Sequence, residues 1–211
     1  MHDVMLDYQL PTGTKVNVEY TYYNTPSTQH LISTLPTGEL HFDTDEHQRI
    51  NRWKFHLGQE HSLADGWGLN YGVRYSLTND HSWQTFLPTG SNTAASPTNS
   101  YSRQNEDIVN VYAGTNGKIG EKLDFEVSLA AEYYHSPAWH QWNVYSTLSL
   151  TYMPNSGHML LLNVSSDKKF PDYWTLQNFT SFSNGGYNEV VGNPSLKPSS
   201  NYQTQLVYVL H

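Results

Sequence analysis

Apolar and polar side chains alternate along most of this chain. In WGLNYGVRYSLTN, residues 67–79, every second residue from Trp67 to Leu77 is aromatic or aliphatic, and most of the residues between are Asn, Arg, Ser or Thr. The same pattern recurs in KVNVEYTYY (15–23), NRWKFHLGQ (51–59), KLDFEVSLAAEYYH (122–135) and QWNVYSTLSLTY (141–152). A period of two is that of a β-strand whose two faces meet different environments. Helical spacing fits none of these segments over a comparable length.

The pattern predicts an all-β, antiparallel, up-and-down meander of about nine strands. Several of them run 11 to 14 residues, whereas strands of globular proteins average about 5–6. A tilted strand that crosses a bilayer needs ~9–11 residues. The predicted strands are residues 3–10, 14–24, 47–61, 67–79, 105–116, 122–135, 141–153, 158–167 and 200–210.

The connections between these strands alternate in length. Short turns rich in Gly, Asn, Asp and Pro are predicted at residues 11–13, 63–67, 116–122 and 154–157, and long polar loops at about 24–46, 80–105 and 167–200, with a brief SPAW connection after His135. Outer-membrane barrels have short periplasmic turns and long extracellular loops. The sequence therefore favours a section of transmembrane β-barrel in contact with outer-membrane lipid. The alternative is a soluble or surface-exposed all-β module for binding or adhesion.

Composition narrows the possible functions. The chain has no Cys, which excludes disulfides, thiolate metal sites and cysteine catalysis. A net charge of −8 argues against nucleic acid as a partner. Only 14% of residues are charged but 14% are aromatic, and many aromatic residues fall near strand ends, where interfacial girdles lie. No apolar run approaches the ~20 residues of a membrane-spanning helix.

No motif indicates catalysis, a metal or a cofactor. GTNGKIG, residues 114–120, lacks the spacing of a phosphate-binding loop and is predicted to be a turn. The acidic segment DTDEHQR, residues 43–49, lacks the Gly and terminal Glu of a calcium-binding EF-hand loop. The 11 histidines form no HExxH or HxxxH set. We therefore expect that the protein is not an enzyme.

The segment from Val164 to Val209 resembles the outer-membrane β-barrel family of Bacteroidota, which includes TonB-dependent receptors. That family carries a basic residue and an aromatic-Pro-x-Tyr/Trp element after a strand, then an LNPF-like and a GNPxLKPE element before the next strand. Gln177 and Asn178 depart from the family's Asn-Pro pair, and Ser199 replaces its Glu. The counterparts here are Lys169, Phe170, Pro171, Tyr173, Leu176, Asn178, Phe179, Gly192, Asn193, Pro194, Leu196, Lys197 and Pro198.

The resemblance implies the function of a receptor for an unidentified nutrient. Such receptors close with about 22 strands around a plug domain, and TonB acts through the plug. An odd number of strands, with neither a signal peptide nor a plug in residues 1–211, predicts one partial barrel domain that lacks its plug and its remaining strands. The expected location is the outer membrane of a Gram-negative bacterium. GNPSLKP is expected to close a long loop and set the register of the strand that follows.

The polar faces of the predicted strands supply candidate lumen residues. Arg52, Lys54 and Arg74 are expected to lie together, because the third and fourth strands form a hairpin. The sixth strand contributes Asp124, Glu126 and Glu132, which are expected to lie too far away to pair with this basic group. The prediction is that the basic residues bind acidic groups of the plug or of an anionic substrate, and the alternative is that water solvates them.

Overall fold

The strands of the protein form one long meander. A computed structural model describes residues 1–36, 38–63, 66–90, 99–176, 180–183 and 188–210. The strands are β1 (His2–Gln9), β2 (Thr14–Leu35), β3 (Gly38–Ser62), β4 (Gly68–Pro88), β5 (Ser100–Ile119), β6 (Leu123–His135), β7 (His140–Asn155), β8 (His158–Lys169), β9 (Thr180–Ser183), β10 (Asn188–Val191) and β11 (Ser199–Leu210), and a helix α1 (Tyr173–Leu176) follows β8.

Nine of these strands make a single antiparallel sheet in the order β1-β2-β3-β4-β5-β6-β7-β8-β11. Strands β9 and β10 form a separate two-stranded hairpin within the connection from β8 to β11. In the described part of the chain, β1 and β11 do not pair with each other, so the sheet is open at both edges. The predicted nine-stranded meander is confirmed, and each predicted strand corresponds to one strand of this sheet.

Two of the three predicted long loops are wrong in large part. The region from Asn24 to Glu46 continues β2 and β3 as a paired ladder as far as Leu35 and Gly38. The predicted loop 80–105 is strand up to Pro88 and again from Ser100. Strands β2 to β5 are therefore 20 to 25 residues long, about twice what a bilayer crossing needs. The third connection does leave the nine-stranded sheet between Lys169 and Ser199, and it contains α1 and the β9–β10 hairpin.

The two faces of the sheet differ in chemistry across the half of each strand nearest the short turns. The apolar face is exposed: Trp53, Phe55 and Leu57 are 39%, 42% and 50% exposed. The intervening polar residues of β3 are half-buried. Apolar residues also align across neighbouring strands, and one row consists of Val16, Leu57, Val73, Val111, Ala131 and Val144.

The turns at the two ends of the sheet are built differently. At the short-turn end, Gly13 and Gly120 have φ angles of 85° and 64°, a left-handed conformation that favours glycine. At the other end, the brief connection after β6 is closed by Ser136, whose Oγ accepts hydrogen bonds from the N–H groups of Ala138 and Trp139. No helix in the described ranges is long and apolar enough to cross a membrane.

The far end of the long strands has a small core of its own. Leu40, Phe42 and Phe86 are 3%, 2% and 7% exposed, and Leu31 packs against them. The rings of Phe42 and Phe86 meet edge to face with centroids 5.3 Å apart. Leu40 and Phe42 on β3, and Phe86 on β4, are an even number of residues away from Arg52 and Arg74 respectively. They therefore lie on the same face of the sheet as these two arginines. The face that is polar near the short turns therefore carries a buried core in the other half of the long strands, the half that protrudes beyond the apolar rows.

Candidate functional site on the polar face

The polar face of β2 to β6 forms a depression of about 640 Å³. Strand pairing aligns its residues, because Lys54 lies opposite Ser76 and Asn110 opposite Glu132. The structure therefore brings the basic candidates of β3 and β4 and one acidic candidate of β6 to a single surface, which we call the polar wall. Its charged and polar members include Asn17, Arg52, Lys54, His56, Arg74, Ser76, Thr78, Glu106, Asn110 and Glu132.

Two of the three basic candidates have a carboxylate partner. Glu19 on β2 lies directly opposite Lys54. Its Oε1 accepts a hydrogen bond from Lys54 Nζ at 2.9 Å and lies 3.6 Å from Arg52 Nη2. The prediction considered only the acids of β6, and the neighbouring strand β2 supplies an acidic partner that it omitted. The Nε atom of Arg52 is buried without a hydrogen-bond partner among the described residues.

Arg74 is held in a different way. Its guanidinium carbon lies 4.6 Å from the centroid of the Tyr112 ring, a cation–π geometry. Tyr112 also forms a hydrogen bond of 2.8 Å between its hydroxyl and His56 Nε2. Among the described residues, no carboxylate forms an ion pair with Arg74. This side chain is exposed and is the basic group of the polar wall that remains open to an anion.

Two glycines make room for Tyr112. Gly58 and Gly72 lie opposite each other on β3 and β4. A Cβ added at Gly72 would lie 2.5 Å from the carbonyl oxygen of Leu57 and 2.7 Å from the Tyr112 hydroxyl, and one at Gly58 would lie 2.9 Å from the same hydroxyl. The tyrosine thus lies across a strip of bare backbone, where glycine permits close approach.

The three acidic candidates of β6 have separate environments. Asp124 forms an ion pair of 3.2 Å with Lys118 near the short turn. Glu132 accepts hydrogen bonds from the Tyr145 hydroxyl at 2.8 Å and from Asn110 Nδ2 at 3.3 Å. Glu126 forms no hydrogen bond or ion pair with another described residue and lines a second depression of about 520 Å³ on the same face. The polar wall is therefore a mixed-charge surface.

The connection after β8 packs, through Phe170, onto the end of the polar wall that is farthest from the short turns. Its ring stacks on Tyr134 with centroids 3.7 Å apart and an interplanar angle of 9°, and lies 5.8 Å from the Trp139 ring. Tyr134 is 3% exposed, and its hydroxyl donates a hydrogen bond to Glu106. The first motif element thus fixes the start of the long connection, and half-buried Pro171 leads from it toward α1, which begins at Tyr173.

The GNPSLKP segment forms a turn immediately before β11. The Asn193 side chain accepts a hydrogen bond from the N–H of Ser195 at 2.9 Å, and its carbonyl accepts one from Leu196 at 3.2 Å. The Asn193 N–H donates to the carbonyl of Thr175 in α1 at 2.6 Å. The GNPSLKP turn is therefore joined to α1, which follows the first motif element, and Ser199 begins the ladder by pairing with Lys169.

The remaining motif residues have simpler placements. Gly192 and Pro198 are half-buried and flank the turn, whereas Pro194, Leu196 and Lys197 are exposed. Gln177, Asn178 and Phe179 lie outside the described residues. The pair His135 and His140 meets across the brief connection with ring centroids 4.5 Å apart.

Sequence reasoning missed Glu19 and Tyr112 as members of the site. Glu19 lies on the polar face of a strand whose alternation is clear, so its orientation was available from the sequence. Tyr112 lies in residues 105–117, where the alternation is weak. Their partners depended on register, since Glu19 meets Lys54 across a β2–β3 ladder that runs to residues 35 and 38. A hairpin with a long loop would not have fixed that register.

Comparison with known families agrees with this architecture. The outer membrane protein beta-barrel family matches residues 12–211. Comparison with curated proteins found no match. The matched region includes the sheet from β2 to β11, the polar wall and both motif elements of the connection to β11. The chain therefore belongs to the outer membrane protein beta-barrel family, and its location is the outer membrane.

Proposed function

We propose that this sheet is part of the wall of a TonB-dependent receptor that takes up a nutrient through the outer membrane. The observation that carries the proposal is the polar wall, on which Arg74 and Glu126 are held without an oppositely charged partner among the described residues. Charges on the inner surface of a barrel tune what the lumen holds or passes. A plug or a bound nutrient would supply the missing partners.

The open edges support a larger barrel. Strand β1 pairs only with β2, and β11 pairs only with β8, so each has an unpaired edge within the described ranges. Unpaired edges are avoided in native sheets and are impossible within lipid. In this proposal, further strands pair with β1 and β11 and close the wall around a plug.

The orientation follows from the asymmetry of the two ends. The turns near Gly13 and Gly120 are short, whereas β2 to β5 protrude far beyond the apolar rows and the β8–β11 connection is long. Barrels of this class place short turns in the periplasm and long connections outside. The protruding strands and the GNPSLKP turn therefore belong outside the cell.

The alternative function has less support. A soluble binding module would not bear the broad exposed apolar rows of β3 to β7, and family membership places the chain in the outer membrane. A surface adhesion role would need a binding site on the protruding strands and no passage through the barrel. Ion conductance distinguishes a plugged receptor, which is silent until its plug is displaced, from an open pore.

The experiment is to insert the full-length protein into a planar bilayer in potassium chloride and record conductance before and after urea is added on one side. A plugged receptor is expected to be silent and to conduct once urea displaces the plug. A barrel that conducts immediately would be an open pore, and this result would overturn the receptor proposal. A barrel that stays silent in urea would point to a closed structural protein.

A further inference from the structure

The outward surface of the protruding strands changes chemistry just above the last apolar row. In β3 to β5 the outward residues Trp53, Leu77 and Asp107 pair in register, and Trp53 and Leu77 are the last apolar members of this face. The next outward row consists of three amides, Asn51, Asn79 and Asn105, aligned across the three strands. On β3 and β4 the apolar surface therefore ends at a row of uncharged hydrogen-bonding groups.

A basic row follows directly above. Arg49, His81 and Arg103 lie opposite one another on β3, β4 and β5. Both arginines are exposed, and strands two apart in a sheet place them about 10 Å from each other. Among the described residues, neither arginine forms an ion pair, although the chain carries a net charge of −8.

An aromatic row lies above the basic one. His47 and Trp83 stack with ring centroids 4.2 Å apart and an interplanar angle of 16°, and Trp83 pairs in register with Tyr101, which is 67% exposed. None of the three rows contains a carboxylate. The outward acid in the row below, Asp107, accepts a hydrogen bond from the Tyr75 hydroxyl at 2.7 Å and lies 3.6 Å from His135 Nδ1. The row above contains exposed Asp45 on β3. We call these three rows the outer belt.

We propose that the outer belt binds the phosphorylated sugar headgroups of glycolipids in the outer leaflet. Arginine pairs well with phosphate, amides hydrogen-bond to sugar hydroxyls, and aromatic rings suit the membrane interface. The belt is continuous with the lipid-facing surface, which places it at headgroup depth. Basic residues near an anionic surface each add about 1 kcal/mol of attraction. This inference rests on the proposed orientation but not on the plug or on uptake.

The test uses the full-length protein, delipidated in detergent, and follows its thermal unfolding midpoint during titration with lipid A, a phosphorylated disaccharide lipid. The wild type is expected to be stabilised by lipid A more than by phosphatidylethanolamine or inorganic phosphate. In the double variant Arg49→Gln/Arg103→Gln, the apparent affinity for lipid A is expected to fall about thirtyfold. Lys122→Gln, in a short turn at the opposite end, is the matched control and is expected to bind as the wild type does.

Three results would overturn the proposal. Equal affinity of the double variant and the wild type would show that the belt does not recognise the headgroup. Equal stabilisation by phosphatidylethanolamine would show a response to lipid in general. A loss in Lys122→Gln alone would place the glycolipid at the short-turn end and reverse the orientation. The conductance experiment is independent of all three, so either proposal can fail while the other stands.

Discussion

At the scale of single residues, neighbouring side chains on one strand meet opposite environments. Val127 is 37% exposed on the apolar face of β6, and Ser128 points to the polar wall beside Asn70 and Gly114. We predict that Val127→Arg lowers the free energy of unfolding by about 2–4 kcal/mol, because it moves a charge into lipid near the bilayer midplane. Urea titration of the full-length protein in lipid vesicles measures this loss.

The matched variant is Ser128→Arg, one residue away on the opposite face. It adds the same side chain where water and polar groups can solvate it, so only a small loss is expected. Equal losses in the two variants would mean that both faces of β6 are equally dry, contrary to a barrel wall.

Asp80 is a residue whose burial gives a pH dependence. It lies on β4 beyond the apolar rows and is 0% exposed, with hydrogen bonds from Ser82 Oγ at 2.8 Å and Gln48 Nε2 at 3.1 Å. Burial raises the pKa of this carboxyl above its usual value, and the two hydrogen bonds oppose the rise only in part. The folded state therefore holds the proton more tightly than the unfolded state does.

The consequence is a stability that falls as pH rises. The contribution of Asp80 is fully present below the carboxyl's unfolded pKa of about 4 and is lost as pH increases through its higher folded pKa. We predict that Asp80→Asn, which stays uncharged, raises the urea midpoint at neutral pH and narrows the difference between pH 5 and pH 8. A variant less stable than the wild type at both pH values, with an unchanged difference, would contradict this.

At the scale of elements, the long connection to β11 is anchored at two points. Phe170 stacks on Tyr134 and Trp139, and Asn193 bonds to Thr175. We predict that Phe170→Ala frees the connection while the sheet stays folded, because ring stacking contributes about 0.5–1.5 kcal/mol beyond area burial. Limited proteolysis should then cut between Phe170 and Pro198 several times faster than in the wild type.

Leu196→Ala serves as the control for this prediction. Leu196 is in the same connection but is 38% exposed, so its truncation is expected to leave the cleavage rate nearly unchanged. If both variants were cut equally fast, the stacking of Phe170 would not be what holds the segment.

The strands also show which elements a sequence can reveal. All nine strands of the sheet were predictable because, next to the short turns, one face meets lipid and must be apolar. Beyond the membrane that requirement ends, and residues such as His30 and Asp43 put polar groups on the outward face of β2 and β3. In this part of β3, the alternation of Leu40 and Phe42 with polar residues was the remaining sequence signal for a strand. It was too short to outweigh the loop-like composition around it.

At the scale of the whole molecule, the polar wall divides into paired and unpaired charges. Arg52 and Lys54 share Glu19, while Arg74 rests on Tyr112 and stays exposed. The sequence placed all three basic residues on one face, but their pairing depended on the β2–β3 register. The hypothesis that all three basic residues bind an acidic group therefore applies to Arg74 alone.

On the proposed receptor function, we predict that Arg74→Glu in the full-length protein loosens the proposed plug or weakens nutrient uptake without unfolding the barrel. The physical reason is that reversing the one exposed, unpaired basic charge of the described polar wall turns attraction for an acidic group into repulsion. Planar-bilayer conductance in potassium chloride without urea reports the plug, and resistance to unfolding by sodium dodecyl sulfate reports the barrel. Arg74→Lys keeps the charge and is expected to stay silent, as is Lys122→Glu in a short turn. If Arg74→Glu remains silent and uptake is as in the wild type, water alone solvates this side chain. Any contact between the polar wall and a plug or nutrient would then involve other residues.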